Sequence, residues 1–202
     1  MEKINYARLM DAELDAAAKL PEPPRLLLHC CCAPCSGAVV ERLTRHFLIT
    51  ALFYNPNIWP KAEFSRRNAE LRRLLGLEDF VSGVELLTPE YDHAAFTDAV
   101  LGLEGEREGG ARCARCFRLR LEEAACAARE LGFPYFTTTL SVSPHKDAET
   151  INAIGGELGK KYGVKYLFAD FKKRDGYKRS LELCRTFDVY RQDYCGCEFS
   201  KR

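Results

Sequence analysis

The sequence predicts an α/β fold, a mostly parallel sheet covered by helices on both faces. Short apolar runs alternate with segments of helical spacing along the chain, the pattern of strand–helix–strand units. Of 202 residues, 47% are hydrophobic and 29% charged, which suits the core of one domain and excludes a disordered chain. The unusual loops HCCCAPC, NPNIWP, SVSPHK and FKKRDGY each follow a predicted strand. Ligands of parallel sheets sit beyond the carboxyl ends of the strands, so one pocket can collect all of these loops.

Arg25–His29 (RLLLH) reads as the first strand, followed by a Cys-rich turn and a helix over Ser36–His46. Phe47–Tyr54 (FLITALFY) is a second strand, broken by NPNIWP. A charged amphipathic helix follows over Lys61–Leu75, then a short strand at Val84–Leu87 and a helix at Asp92–Leu101. LEGEREGGAR is a Gly-rich connector. Cys116–Leu131 is helical, with Phe117, Leu121, Ala124 and Ala128 at helical spacing. Tyr135–Leu140 (YFTTTL) is a strand. Ser143 as N-cap and Pro144 in the first turn then start a helix that runs to Tyr162. Lys165–Phe168 is a strand, and Tyr177–Tyr190 is the last helix. No repeat or internal boundary interrupts this order, so residues 1–202 are expected to form one α/β domain with a short C-terminal tail.

Composition narrows the function. No apolar run approaches the length of a membrane span, and the start MEKINYARLMDAELD lacks the apolar stretch of a signal peptide. Ten Cys fall below the density of a secreted disulfide scaffold. Reduced, metal-binding or catalytic thiols in a cytoplasmic protein are the expectation. The net charge of +1 does not announce nucleic acid, but its distribution is uneven. From Lys160 onward, twelve basic side chains face six acidic ones. The segment KKRDGYKR within that stretch suits phosphate contact, or else a solvated helical face.

Eight of the Cys fall into three groups: Cys30-Cys31-Cys32-x-x-Cys35, Cys113-x-x-Cys116 and Cys195-x-Cys197. The first two groups, each beside a helix start, can close a four-thiolate site for zinc or an iron–sulfur cluster. Adjacent Cys directly after a buried strand fit zinc knuckles poorly, which favours the cluster. Gly109 and Gly110 supply the loop freedom that returns Cys113 and Cys116 to Cys31 and Cys32. A Cys195–Cys197 disulfide would close a very small, strained and easily reduced ring, as a redox relay needs. Two further metal ligands, or two small residues in a tight turn at Gly196, are the other readings. Cys126 and Cys184 are expected as core thiols inside helices.

Among the remaining residues, His29 is expected as a satisfied core histidine, and His46 and His93 carry no signal. His145, in the first turn of its predicted helix, offers backbone to an anion. Trp59 is either packing or a stacking surface for a base. Asn55-Pro56-Asn57 is a rigid turn that serves architecture or substrate contact. The absence of GxxxxGK[ST] and GxGxxG argues against a Walker-type nucleotide site.

LLLHCCCAPCS, FYNPNIWP, EGGARCARCFRLRL, TTTLSVSPHK with INAIGG, and YCGCEFS occur in the order found in one family. By these motifs, from Ile4 to the C-terminus, the chain resembles the epoxyqueuosine reductase QueH family. The resemblance implies an adenine-nucleotide hydrolase-like, three-layer α/β fold. It also implies reduction of epoxyqueuosine to queuosine at the wobble position of tRNA, without cobalamin, using a [4Fe–4S] cluster and an additional iron. By motif the cluster falls to Cys31, Cys32, Cys113 and Cys116, and the redox-active pair to Cys195 and Cys197. Cys35, just past the cluster turn, is the candidate ligand of the additional iron. Cys30 stands where another residue is usual, and the register with Ala33-Pro34-Cys35 selects Cys31 and Cys32. Asp147 stands where an amide is usual. The expected partners are tRNA, through Lys172, Lys173, Arg174, Lys178 and Arg179, and an electron donor. The competing classes are a zinc-stabilised RNA-binding module, which would be colourless, and an ATP-dependent tRNA-thiolating enzyme. The latter needs a Ser- and Gly-rich pyrophosphate loop where this chain has CCCAPCSG.

Overall fold

Arg25–His29 (β1) is the central strand of a five-stranded, all-parallel sheet in the computed structural model, which describes residues 4–201. Leu48–Leu52 (β2) and Glu85–Leu87 (β3) lie on one side of it. Tyr135–Thr138 (β4) and Lys165–Tyr166 (β5) lie on the other. The register sets Leu28 between Ala51 and Thr137. The chain builds outward from β1 to β3 and returns to β4 on the opposite side of β1. The topological switch point therefore lies between β1 and β4.

Strand alternation sorts the core into two layers. Leu26, Leu28 and Cys30 face helices α1 (Tyr6–Ala17), α2 (Ala33–Leu43), α3 (Lys61–Leu75) and α7 (Gly176–Thr186). Leu27 faces α5 (Ala111–Glu130) and α6 (Ala148–Tyr162), packed with Phe117, Leu121 and Ile151. The short helix α4 (His93–Ala99) packs on α5. This is the three-layer α/β architecture that the motifs imply.

Several local expectations are corrected. The sequence pattern did not single out α1, although Met10, Leu14 and Ala17 bury one helical stripe. The helix placed from Ser143 begins only at Ala148. Asp147 is its N-cap, accepting from the backbone N–H of Glu149 at 3.2 Å and of Thr150 at 2.9 Å. Ser143 instead ends a 3-10 turn over Thr139–Val142, so His145 precedes a helix rather than opening one. The helix placed from Cys116 begins at Ala111, which puts Cys113 and Cys116 in its first two turns. The last helix stops at Thr186, just before Asp188 at φ +47°. Cys184 is a core thiol as expected, but Cys126 is only half-buried and reaches out toward Glu130 at 3.5 Å.

Candidate active site

At the switch point β1 delivers its Cys run. Cys30 continues the alternation of Leu26 and Leu28, fully buried in the α2 layer, where burial pushes its thiol up to about 12. Cys31 falls on the opposite side, with the Phe117 layer. There its backbone N–H donates to the Thr139 hydroxyl at 3.2 Å, which ties the end of β1 to the turn after β4. Cys32 is the residue before α2, and Pro34 and Cys35 stand in that helix's first turn.

The sulfur atoms of Cys31, Cys32 and Cys35 lie within 4.8 Å of one another, and those of Cys31 and Cys32 are 3.8 Å apart. The neighbouring thiols of Cys32 and Cys35, then Lys146 and the Thr139 hydroxyl, hold Cys31 well below the usual thiol range. Cys31 beside them pushes Cys32 up, and Cys31 with Cys32 pushes Cys35 up. The Gln192 side-chain amide donates to the Cys32 sulfur at 3.0 Å.

Cys113 and Cys116 are one helical turn apart at the start of α5. Cys113 packs against the layer that holds Cys31 and Cys32, and the N–H of Gly109, at φ +88°, donates to its sulfur at 3.2 Å. Cys116 is buried with Phe96, Val100 and Cys197, and burial raises its thiol to about 12. Both sulfurs lie outside the close Cys31–Cys32–Cys35 group.

What joins the motifs is a buried arginine. Arg120, only 2% exposed, sits one turn beyond Cys116. It donates to the Cys116 carbonyl at 3.2 Å and to the Asn55 side chain at 3.5 Å. Its Nη2 has no partner among the described residues. Burial works against its charge, and the thiols of Cys116, Cys195, Cys31 and Cys113 outweigh that cost. Lys146 is raised in the same way against burial by Cys195, Cys35 and Cys31.

The thiols open into a cavity of about 500 Å³ lined by Cys31, Cys32, Cys35, Arg120, Lys146 and Cys195. Tyr177, Arg191, Tyr194 and Lys201 also line it, with the carboxylates Glu108 and Asp193. Cys195 faces this cavity, whereas Cys197 turns into the pocket of Phe96, Val100 and Cys116. The two tail thiols are free, with no disulfide among the described residues.

The expected phosphate-binding residues lie outside the cavity lining. Arg179 pairs with Glu41 and Glu182, Arg174 with Asp11, and Lys172 with Asp170. Lys173 and Lys178 have no ion pair among the described residues. His29 is the satisfied core histidine expected, bonded to Thr138 at 2.8 Å and to the Tyr54 carbonyl at 3.1 Å. Burial, then Arg120, lowers it to about 4, so it is neutral near pH 7. Asn55 serves architecture, donating to the Cys30 carbonyl at 2.9 Å. Trp59 is 42% exposed beside Tyr194, whose hydroxyl donates to the Trp59 carbonyl at 2.9 Å. His93 joins the carbonyl of Pro56, at 2.7 Å, to the tail residue Glu198, at 3.2 Å.

Sequence reasoning missed Arg120, Lys146, Thr139 and Gln192. Two of these left a signal: Arg120 sits four residues past Cys116, on the side of α5 that carries Phe117 and Leu121 inward, and Lys146 ends the SVSPHK loop expected at the pocket.

A parallel α/β sheet with a thiol-lined, cation-backed cavity at its switch point defines the class: an α/β protein built around a cysteine centre. The family model described as epoxyqueuosine reductase QueH matches residues 26–202. The chain is 43% identical to the Streptococcus pyogenes serotype M1 epoxyqueuosine reductase QueH, over all of this chain and 80% of that protein. It is 41% identical to the Staphylococcus epidermidis protein of that name, over 98% of this chain and 85% of the relative. For the Thermotoga maritima protein of that name the identity is 35%, over 87% of this chain and 89% of the relative. The chain belongs to the epoxyqueuosine reductase QueH family.

Proposed function

We propose that this protein reduces epoxyqueuosine to queuosine in tRNA at the cavity between β1 and β4, within a single α/β domain whose tail carries a redox pair. The observation that carries this reading is Arg120, which stands among thiols from all three Cys motifs and keeps a buried N–H without a partner. A buried guanidinium in that setting calls for an anionic group.

A [4Fe–4S] cluster held by Cys31, Cys32, Cys113 and Cys116 fits the site, since a four-thiolate cluster carries net negative charge. The chemistry of the donor set supports it: four sulfurs from two motifs, two helix N-termini and a buried cation. The close thiol group of Cys31, Cys32 and Cys35 leaves Cys35 to hold an additional iron. When bound, these groups supply single-electron transfer and a Lewis acid for the epoxide oxygen.

Converting an epoxide to an alkene takes two electrons and two protons and releases the oxygen as water. Oxidation of Cys195 and Cys197 to a disulfide supplies both electrons and both protons, and an external donor restores the dithiol. Cys195 already faces the cavity, and Gly196, at φ +111°, is the pivot that would bring Cys197 to it. Arg120 and Lys146 stabilise negative charge that develops near the thiols. Lys172, Lys173, Arg174, Lys178 and Arg179 contact phosphates farther along the RNA.

The test is anaerobic purification with iron and sulfide counted, followed by nucleoside mass spectrometry of epoxyqueuosine-containing tRNA after reaction. The expected result is a coloured protein that forms queuosine, with colour and product both lost in Cys113→Ser. Full iron and sulfide in Cys113→Ser would overturn the ligand set. A colourless zinc protein with no conversion would overturn the enzymatic reading.

A further inference from the structure

We propose that Arg67 is the positioning residue for Cys195, holding the tail so that this thiol faces the cavity. Arg67 lies in the middle of α3 and is only 1% exposed, a rare place for a guanidinium. Its fork of N–H groups is met by three acceptors. Its Nε donates to Glu63 at 2.6 Å. Its Nη1 donates to the Cys195 carbonyl at 3.1 Å and its Nη2 to the Tyr194 carbonyl at 3.4 Å. The centre of the Tyr194 ring lies 4.9 Å from the guanidinium carbon. The next carbonyl, that of Gly196, accepts from the Trp59 N–H at 2.9 Å. Three successive tail carbonyls are therefore held by donors on the helix-bearing frame.

The fit is close enough to dictate the residue between the two Cys. A Cβ on Gly196 would stand 2.9 Å from Arg67 Nη1 and 3.0 Å from Ile58, at a φ of +111° that other residues rarely adopt. Among the described residues the tail has no strand of its own, only a 3-10 turn over Glu198–Ser200. Its placement thus depends on such side-chain anchors. Arg67 and the glycine turn send Cys195 toward Cys31 and Cys35, while Cys197 goes to Phe96 and Cys116.

The proposal rests on the reading of Cys195 as a working thiol, and the experiment separates the two. In the full, metal-loaded chain, iodoacetamide labelling of Cys195 is followed by peptide mass spectrometry, beside kcat and KM on the tRNA substrate. Arg67→Met is compared with the wild type, with iron content and thermal midpoint recorded for each. The expected result is faster labelling of Cys195 and a kcat about 10- to 100-fold lower, the scale of an ångström misplacement, with KM little changed. Where the single variant fails to fold because Glu63 loses its cation and keeps only the Tyr190 hydroxyl, Glu63→Gln with Arg67→Met replaces it. Where that also fails, Arg67→Lys, which keeps the charge beside Glu63 and loses the fork that reaches the tail carbonyls, decides on the same two readouts. Unchanged labelling and kcat in the folded variant, even with a lowered thermal midpoint, would overturn the proposal. Cys195→Ser with wild-type turnover would instead overturn the working-thiol reading, while the labelling result still decides the role of Arg67.

Discussion

Cys30 and Cys31 are adjacent in sequence and lie in different chemical worlds. Alternation along β1 buries Cys30 among Leu26, Leu28 and Val40, while Cys31 meets Thr139, Cys32 and Lys146. The register argument from Ala33-Pro34-Cys35 points to Cys31 and Cys32, and the sulfurs of these two lie in one close group with that of Cys35. Cys30→Ala should keep full iron and lose about 1–2 kcal/mol, as for a small core truncation. Cys31→Ala should lose most of the iron, because ligation couples to folding. Metal analysis beside denaturant unfolding of the two variants checks this; iron loss in Cys30→Ala would reverse the assignment.

At the scale of elements, α6 shows how local signals compete. Both Ser143 and Asp147 are good caps, and Pro144 suits a first turn. The chain turns at Ser143 because Thr139–Val142 is needed to wrap β4 toward the Cys31 N–H, so the helix waits for Asp147. A carboxylate caps as well as the amide that the resemblance led one to expect at position 147. The Thr150 hydroxyl and the first backbone N–H groups hold its carboxyl below the usual carboxylate range. A depressed carboxyl means that the native state binds fewer protons. The cap's contribution is thus present above about pH 4 and is lost as pH falls through its lowered value. Asp147→Ala should cost about 1 kcal/mol at pH 7, and the gap to wild type should close in acid, measured by denaturant midpoints. Farther along the same helix, Gly155 admits the Tyr166 ring: a Cβ there would lie 2.2 Å from it. Helix propensity favours Ala over Gly by about 1 kcal/mol, but overpacking against a buried ring costs about 1–3 kcal/mol or more. Gly155→Ala should therefore lower the thermal midpoint, and a rise would show that β5 yields.

For the molecule as a whole, charge segregates. The basic C-terminal stretch commits Lys172, Arg174 and Arg179 to carboxylates from Asp170, α1, α2 and α7. Surface pairs of this kind are weak, about 0–1 kcal/mol, so phosphates can compete for the same side chains. Lys173 and Lys178 need no such exchange. Replacing both by Gln should reduce the slope of log affinity against log salt by about 0.7–0.9 for each phosphate no longer neutralised. An unchanged slope in tRNA-binding titrations would leave the patch a solvated face. The cations that line the cavity are Arg120, Lys146, Arg191 and Lys201, contributed by separate parts of the chain.

The order of strands and helices after α1, the parallel sheet and the three Cys groups were legible in the sequence, because each leaves a local mark. Apolar runs mark strands, helical spacing marks the faces of α3 and α5, and Cys spacing marks thiol sites. Caps and helix ends were read less well, since Ser143 and Asp147 are equivalent until tertiary packing chooses between them. The tertiary structure alone decided that Cys30 belongs to the core and Cys126 to a half-exposed face. It also decided that His93 and Arg67 fasten the tail and that Arg120 stands among thiols of three motifs. These assignments concern groups far apart in sequence, and what a buried charge is paired with depends on which segments the sheet brings to its switch point.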